Sequence, residues 1–273
     1  PRGILGQGDA AEEEALRLSV GYATAAAEEI SGDTAISSGL PDGSLALILS
    51  DGMGKGIRAA AESRAVARRL RKNLKSGMRP AFAIKEVNRY MLACEEAQAK
   101  CDDMRNCRPA IQECEKKPEP LQQARAARCS SAAAGEAECF ATVDLLIIDR
   151  NAAKAKFYKM GAASSFLLRN GKVKKFEQAA LPIGIIPEVR LNHIAVRLKA
   201  GDIVVMVSDG VTEAARADGS NGAWLHELLE SRTAAELAHL SARRLASEIL
   251  DEAVLQYADR ERDDLTVAVV KIL

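Results

Sequence analysis

The sequence lacks net charge. It has 38 lysines and arginines against 38 aspartates and glutamates in 273 residues. Such a balance gives no bulk attraction to nucleic acid or to an acidic membrane surface. It also lacks long apolar runs. Runs such as Leu145 to Ile148 and Ile203 to Val207 are strand-sized, well short of the ~20 residues that span a bilayer. Cysteine is absent from both flanks, since all six lie between Cys94 and Cys139. A disulfide scaffold would spread its cysteines along a small secreted chain. No Cys-x-x-Cys pair occurs, which disfavours structural zinc. No cysteine has arginine six positions later, which argues against the loop of cysteine-dependent tyrosine phosphatases.

What is present is the composition of a soluble globular protein, 48% hydrophobic and 28% charged. The length allows a substantial core in one or two domains. The chain begins at Pro1 rather than methionine, and reads as a piece of something longer.

Strand character opens at Leu16 to Ala25, where Leu18, Val20, Tyr22 and Thr24 alternate with other residues. The turn signal Pro41-Asp42-Gly43-Ser44 predicts a hairpin whose second strand is Leu45 to Leu49. That strand runs into Ser50-Asp51-Gly52-Met53-Gly54-Lys55-Gly56. A helix follows, with Val66, Leu70 and Leu74 on one face and Arg64, Arg68, Arg71 and Lys75 on another. Gly77 stops it, and Pro80 opens a second helix with Ile84, Val87 and Met91 inward. Residues from about 95 to 138 differ in character, with most of the cysteines, Pro109, Pro118, Pro120 and an alanine-serine stretch. They read as an insertion, partly helical, within one domain covering 1–273.

Strands return at Phe140 to Asp149, Ala155 to Lys159, Ser165 to Arg169 and Val173 to Phe176. Asn170-Gly171 is a hairpin signal between the last two. His193 to Leu198 and Ile203 to Val207 read as strands, and Thr233 to Glu236 as a capping box. The helix after it carries Leu245, Ile249, Ala253 and Val254 on one stripe. Val267 to Ile272 closes the chain as a strand. Hairpin-linked strands interrupted by pairs of helices predict a layered α+β fold and argue against a doubly wound parallel sheet.

The chemistry lies at strand ends. Ile48 to Gly52 and Met206 to Gly210 both run from apolar residues into Ser-Asp-Gly. Asp33 follows Gly32, and Asp263-Asp264 precede the last strand. Hard cations such as magnesium and manganese take oxygen ligands and keep several waters, a need that sparse aspartates meet. Glycine after aspartate lets the backbone come close enough for its carbonyl to ligate. Two such ions can place water for in-line attack on a phosphate without a protein nucleophile. A single strand followed by Asp-Gly is usually only a turn. Two Ser-Asp-Gly strand ends together with Asp-Asp-x-Thr are harder to dismiss.

Ser31-Gly32-Asp33, Ser50 to Gly56, Leu181 to Ile186, Ala200-Gly201-Asp202, Ser208-Asp209-Gly210 and Asp263 to Val267 occur in a familiar order. It resembles that of bacterial metal-dependent phosphatases related to protein phosphatase 2C, and among them the phosphatase domain of stage II sporulation protein E. The resemblance covers nearly the whole chain outside the insertion. It implies a four-layer α-β-β-α sandwich of two antiparallel sheets, with two manganese or magnesium ions between them. Asp51 would bridge the ions and the Gly52 carbonyl would bind one. Asp33, Asp209 and either Asp263 or Asp264, with Asp263 favoured, would complete the site. Asp51 and Asp209 would be the residues needed for catalysis.

The reaction implied is attack of metal-activated water on phosphoserine or phosphothreonine. The substrate implied is a regulatory phosphoprotein, an anti-anti-sigma factor in a sporulation system. A cytoplasmic location, an upstream membrane tether and a homodimer are compatible with the resemblance. The helices after Gly56 and Pro80 would match helices that couple regulation to metal binding.

Rival readings fare less well. Gly52 to Ile57 is not a phosphate-binding P-loop, because Leu49 stands where its first glycine belongs and Gly56 where Ser or Thr should follow Lys55. It lacks the third glycine of a dinucleotide loop, since position 57 is isoleucine. A catalytically inactive binding or sensing module remains the alternative. His193, His226 and His239 lie outside the aspartate motifs and read as surface or packing residues. The cysteines read as buried thiols; Cys101 with Cys129 is one conceivable disulfide, with connectivity open.

Overall fold

The structure, a computed structural model, describes residues 15–106, 139–215, 222–258, 260 and 262–273. Ten strands form two antiparallel five-stranded sheets. The first sheet has the order β1 (Leu18–Ala25), β10 (Leu265–Ile272), β9 (Ile203–Val207), β6 (Ser165–Arg169), β7 (Lys172–Phe176). The second has the order β2 (Asp33–Gly39), β3 (Leu45–Asp51), β4 (Val143–Asp149), β5 (Lys154–Met160), β8 (Ile194–Arg197). Helices α1 (Gly56–Lys75) and α2 (Pro80–Asn106) cover the second sheet, while α6 (Ala242–Tyr257) covers β1 and β10 of the first. Three shorter helices, α3 (Asp209–Glu213), α4 (Ala223–Ser231) and α5 (Ala234–His239), complete the described elements. This is the α+β four-layer sandwich expected from the sequence.

Three apolar layers hold it together, and alternation along the strands sorts residues among them. On β4, Val143, Leu145 and Ile147 face α1 and α2, where they meet Val66, Leu70, Ile84 and Met91. Leu146 and Ile148 face the other sheet, joining Leu47, Leu49, Phe157, Val204 and Met206. On the far side, Val205, Val207 and Val267 meet Leu245, Ile249 and Ala253 of α6.

Turn chemistry follows the sequence. Asn170 and Gly171 both adopt positive φ, 52° and 72°, as a two-residue hairpin requires. Gly77 adopts φ 82° just past α1, and its N–H donates to the Leu74 carbonyl. The Thr233–Glu236 capping box forms with both reciprocal hydrogen bonds.

Helix α2 runs on to Asn106, so the first part of the expected, partly helical insertion is helix. Residues 107–138 of the expected insertion lie outside the described residues, as do Cys107, Cys114 and Cys129 and hence the conceivable Cys101–Cys129 bridge. Cys139 is buried and Cys94 half-buried. Among the described residues no helix is long and apolar enough to cross a membrane.

Candidate metal centre

The layer between the sheets is apolar for most of its length and turns polar at one end. Asp33 and Asp51 are directly paired at the end of the β2–β3 hairpin. Asp51 stands two residues beyond Leu49, so alternation carries it into the same inter-sheet layer. On the opposite sheet β9 ends at Val207, and Asp209 starts α3 two residues later. Its Oδ1 accepts from the Gly210 N–H at 2.7 Å. Asp263 lies just before β10, which pairs with β9. All four aspartates therefore gather at one end of the two sheets.

Electrostatics confirms their proximity. Burial, then repulsion from Asp33 and Asp209, pushes the Asp51 carboxyl up to about 9. Burial likewise pushes Asp33 up to about 7, with repulsion from Asp209 adding to it. Neither Asp33 oxygen, both buried, has a partner at hydrogen-bonding geometry. Buried carboxylates in native proteins are normally paired or ligate a metal. The donor set thus fits hard divalent cations: clustered carboxylates, no thiolate or imidazole among them, and two orphaned oxygens. Among the described residues no group of three or more His, Cys, Asp or Glu side chains stands already arranged to hold an ion. Like charges repel, so closing such a group around one point needs the compensating cation.

Asp264 has a different task from Asp263. Its Oδ1 accepts from the Ala27 N–H and its Oδ2 from the Gly32 N–H, each at 2.7 Å. Both oxygens are thereby committed to holding the 27–32 segment that leads into Asp33. Asp263 Oδ1 accepts from the Asp264 N–H at 2.8 Å, and its charge reaches Asp51. Asp264, by its two bonds, is the brace for Asp33.

Gly52 is required sterically. A Cβ there would lie 2.1 Å from the Ala59 carbonyl oxygen, so only glycine lets α1 pack this closely. Gly56 starts α1 at φ 75°, a conformation side chains resist. Helix α2 is also tied to the centre. Asn88 donates to the Ile186 carbonyl and accepts from the Gly184 N–H at 2.8 Å. Ile183 bridges Ala141, and Ala141 bridges Gly52. Asp202 is structural: Arg169 grips both its oxygens.

The histidines stand away from the aspartates, as expected. His193 lies against the Tyr158 ring, His226 pairs with Glu230 on α4, and His239 ends α5. Sequence reasoning passed over Asp144 and Lys159, which sit inside apolar strands and showed no motif. Both are buried and directly paired across β4–β5.

The family model for stage II sporulation protein E matches residues 41–273. Stage II sporulation protein E of Bacillus subtilis (strain 168) is 29% identical over 261 residues, 95% of this chain and 26% of that protein. The Priestia megaterium counterpart is 29% identical over 243 residues, 89% of this chain and 34% of that one. The chain thus spans about a quarter to a third of the curated relatives it matches. A solved structure of the PP2C phosphatase domain with a fragment of the regulatory domain of the Bacillus subtilis protein shares 29% identity and a TM-score of 0.70, covering 94% of this chain and 64% of that one. The RsbU and RsbW domains of a Mycobacterium tuberculosis protein share 18% identity and a TM-score of 0.64 over 94% of this chain and 60% of that one, a likeness of fold alone. By the family match across most of its length, this chain belongs to the stage II sporulation protein E family.

Proposed function

We propose that this chain is a metal-dependent serine/threonine protein phosphatase domain of the protein phosphatase 2C type. The observation that carries the reading is the gathering of Asp33, Asp51, Asp209 and Asp263 at one end of the sandwich, with neither buried Asp33 oxygen at good hydrogen-bonding geometry to a protein group. Asp33, Asp51, the Gly52 carbonyl, Asp209 and Asp263 would hold two manganese or magnesium ions. Bound ions of this kind lower the pKa of water and polarise a phosphoryl oxygen.

The chain's own residues supply the frame. Thr142 fixes the end of β3 by accepting from the Asp51 N–H at 3.0 Å and donating its own N–H to the Asp51 carbonyl at 2.8 Å. Tyr257 holds the Gly210 carbonyl at 2.7 Å, steadying the turn that presents Asp209. The nearby hydroxyls are committed elsewhere: Ser50 Oγ donates to the Thr142 carbonyl, and Ser208 Oγ accepts from the Thr266 N–H. Neither is poised as a nucleophile, which supports direct attack by water.

Beside the centre opens a cleft of about 320 Å³ lined by Lys55, Arg260 and Arg262, together with Glu28 and Tyr257. Its cations suit a phosphorylated protein. The substrate in this reading is a phosphoserine or phosphothreonine of an anti-anti-sigma factor. The domain would work in the cytoplasm, tethered to the membrane through a segment upstream of it, with a homodimer compatible. The test is phosphate release from a seryl-phosphorylated anti-anti-sigma factor on adding manganese. Binding of the phosphoprotein without phosphate release would instead establish the inactive sensing module.

A further inference from the structure

The polar end of the inter-sheet layer contains a pair that the four aspartates do not account for. On β4, Asp144 continues the series of Leu146 and Ile148 into the inter-sheet layer; on β5, Lys159 continues that of Ala155 and Phe157. The two are register partners, 1% and 0% exposed, with Lys159 Nζ 2.6 Å from Asp144 Oδ2. Lys159 also donates to the Ala163 carbonyl at 2.5 Å. From the opposite sheet, Ser165 Oγ donates to the same Asp144 oxygen at 2.7 Å. One oxygen of Asp144 is thus doubly clamped. The other, Oδ1, is buried and has no hydrogen-bond partner.

That oxygen borders the centre. Asp144 pairs with Leu49 on β3, so Asp51 is its diagonal neighbour on the same face. A cavity of about 10 Å³ lies among them, lined by Asp51, Thr142, Asp144, Ala163, Ser208 and Asp209. A void of ~10–15 Å³ holds one water when it offers two to four polar partners, and these walls offer more. An added cation would sit close to the Lys159 ammonium and be repelled, whereas water would not. A buried ion pair is a weak device for stability alone, since apolar replacements are often neutral or stabilising.

Resting on the phosphatase reading above, we infer that Asp144 is a positioning residue of the centre. Clamped by Lys159 and Ser165, it turns its unpartnered Oδ1 to hold and orient a water beside Asp51 and Asp209. Lys159 neutralises Asp144, so the water is gained without a further net negative charge among the aspartates.

The test is the volume-matched double variant Asp144→Leu/Lys159→Met, compared with the native chain. Three quantities are measured: melting temperature, manganese affinity of the metal-free protein by calorimetry, and kcat and KM on p-nitrophenyl phosphate. Outer partners of a metal site typically influence activity about tenfold or more. The expected result is a folded variant that keeps its manganese affinity and KM, with kcat down about tenfold or more. Unchanged kcat in a folded, manganese-binding variant overturns the inference. Manganese affinity lost in step with kcat also overturns it, because the pair then acts on metal binding and not on a water. Should the double variant not fold, Ser165→Ala removes one clamp and leaves the ion pair intact. A fall in its kcat at constant KM and manganese affinity supports the inference, and native kinetics overturn it. A native chain with no turnover would instead remove the phosphatase reading, and this inference with it.

Discussion

Asp33 and Asp51 are direct partners across the β2–β3 hairpin, two acidic side chains at one buried strand end. Burial and mutual repulsion hold both carboxyls well above the ordinary range, so ionising the two together is unfavourable. The pairing is therefore a stability cost in the metal-free chain, retained at the place where the function is proposed to lie.

The first prediction follows from that cost. Asp51→Asn removes a carboxyl that burial, Asp33 and Asp209 all disfavour as an anion. The metal-free variant should melt a few degrees higher than native, the shift expected of roughly 1 kcal/mol in a chain of this size. Phosphatase activity should fall by roughly a hundredfold or more, since a proposed ligand is lost and even outer partners cost 10- to 100-fold. Melting curves without metal and turnover with manganese check the two halves.

The same pair sets a pH dependence. Folding raises the Asp33 and Asp51 carboxyls to about 7 and about 9, from an ordinary value near 4. The folded chain thus binds more protons than the unfolded chain between those values. The stability these two groups contribute is fully present below the unfolded value and is lost as pH rises through about 7 and then about 9. The melting temperature of chelator-treated protein should fall from pH 6 to pH 9. Saturating manganese, which favours the ionised carboxylates, should flatten or reverse that slope.

Asp263 and Asp264 should separate cleanly. Asp264→Ala leaves the Ala27 and Gly32 N–H groups without their acceptors, at a cost of roughly 1–3 kcal/mol for each buried donor. It should lower the melting temperature even without metal. Asp263→Ala frees only the Asp264 N–H and relieves repulsion on Asp51, so it should lower the metal-free melting temperature less than Asp264→Ala while weakening manganese binding. Differential scanning calorimetry paired with manganese titration distinguishes them.

The insertion should be separable from chemistry. Cys139 belongs to the apolar cluster under α1 and α2 and Cys94 packs against it, so both ends of the 95–138 segment leave from the same layer of the sandwich. Replacing it with a short glycine-serine linker should preserve folding and turnover of a small phosphate ester, since changing the length of a loop costs little. Turnover of a phosphoprotein and oligomeric state are where change is expected. Assays on both substrates, with light scattering, test this. Loss of small-ester turnover in a folded variant would bring the insertion into the active site.

Much of this was legible in the sequence because strands at sandwich faces alternate visibly and hairpins carry their turn residues. Leu45 to Asp51 and Asn170-Gly171 are examples. Asp33, Asp51, Asp209 and the Asp263-Asp264 pair stood out because each sits at the edge of a strand. Helix α3 was hidden because Ser208-Asp209-Gly210 reads locally as a turn, and five residues are too few for a helical period. How far α2 runs was hidden because its outer half carries little apolar stripe, ending in Lys100 to Asn106. The Asp144–Lys159 pair was invisible for a different reason. Its partners are 15 residues apart on neighbouring strands, and only sheet register brings them together. The bracing role of Asp264 depends on Gly32, 232 residues away.

The central claim is that aspartates and divalent metal, not a protein nucleophile, carry the hydrolysis. It is tested most directly by phosphate release from a phosphoserine protein, using chelator-treated chain titrated with manganese. The prediction is no measurable release before metal, release that rises and saturates with manganese, and loss of that rise in Asp51→Asn. Full turnover by the metal-free chain, or native turnover in Asp51→Asn, would contradict it.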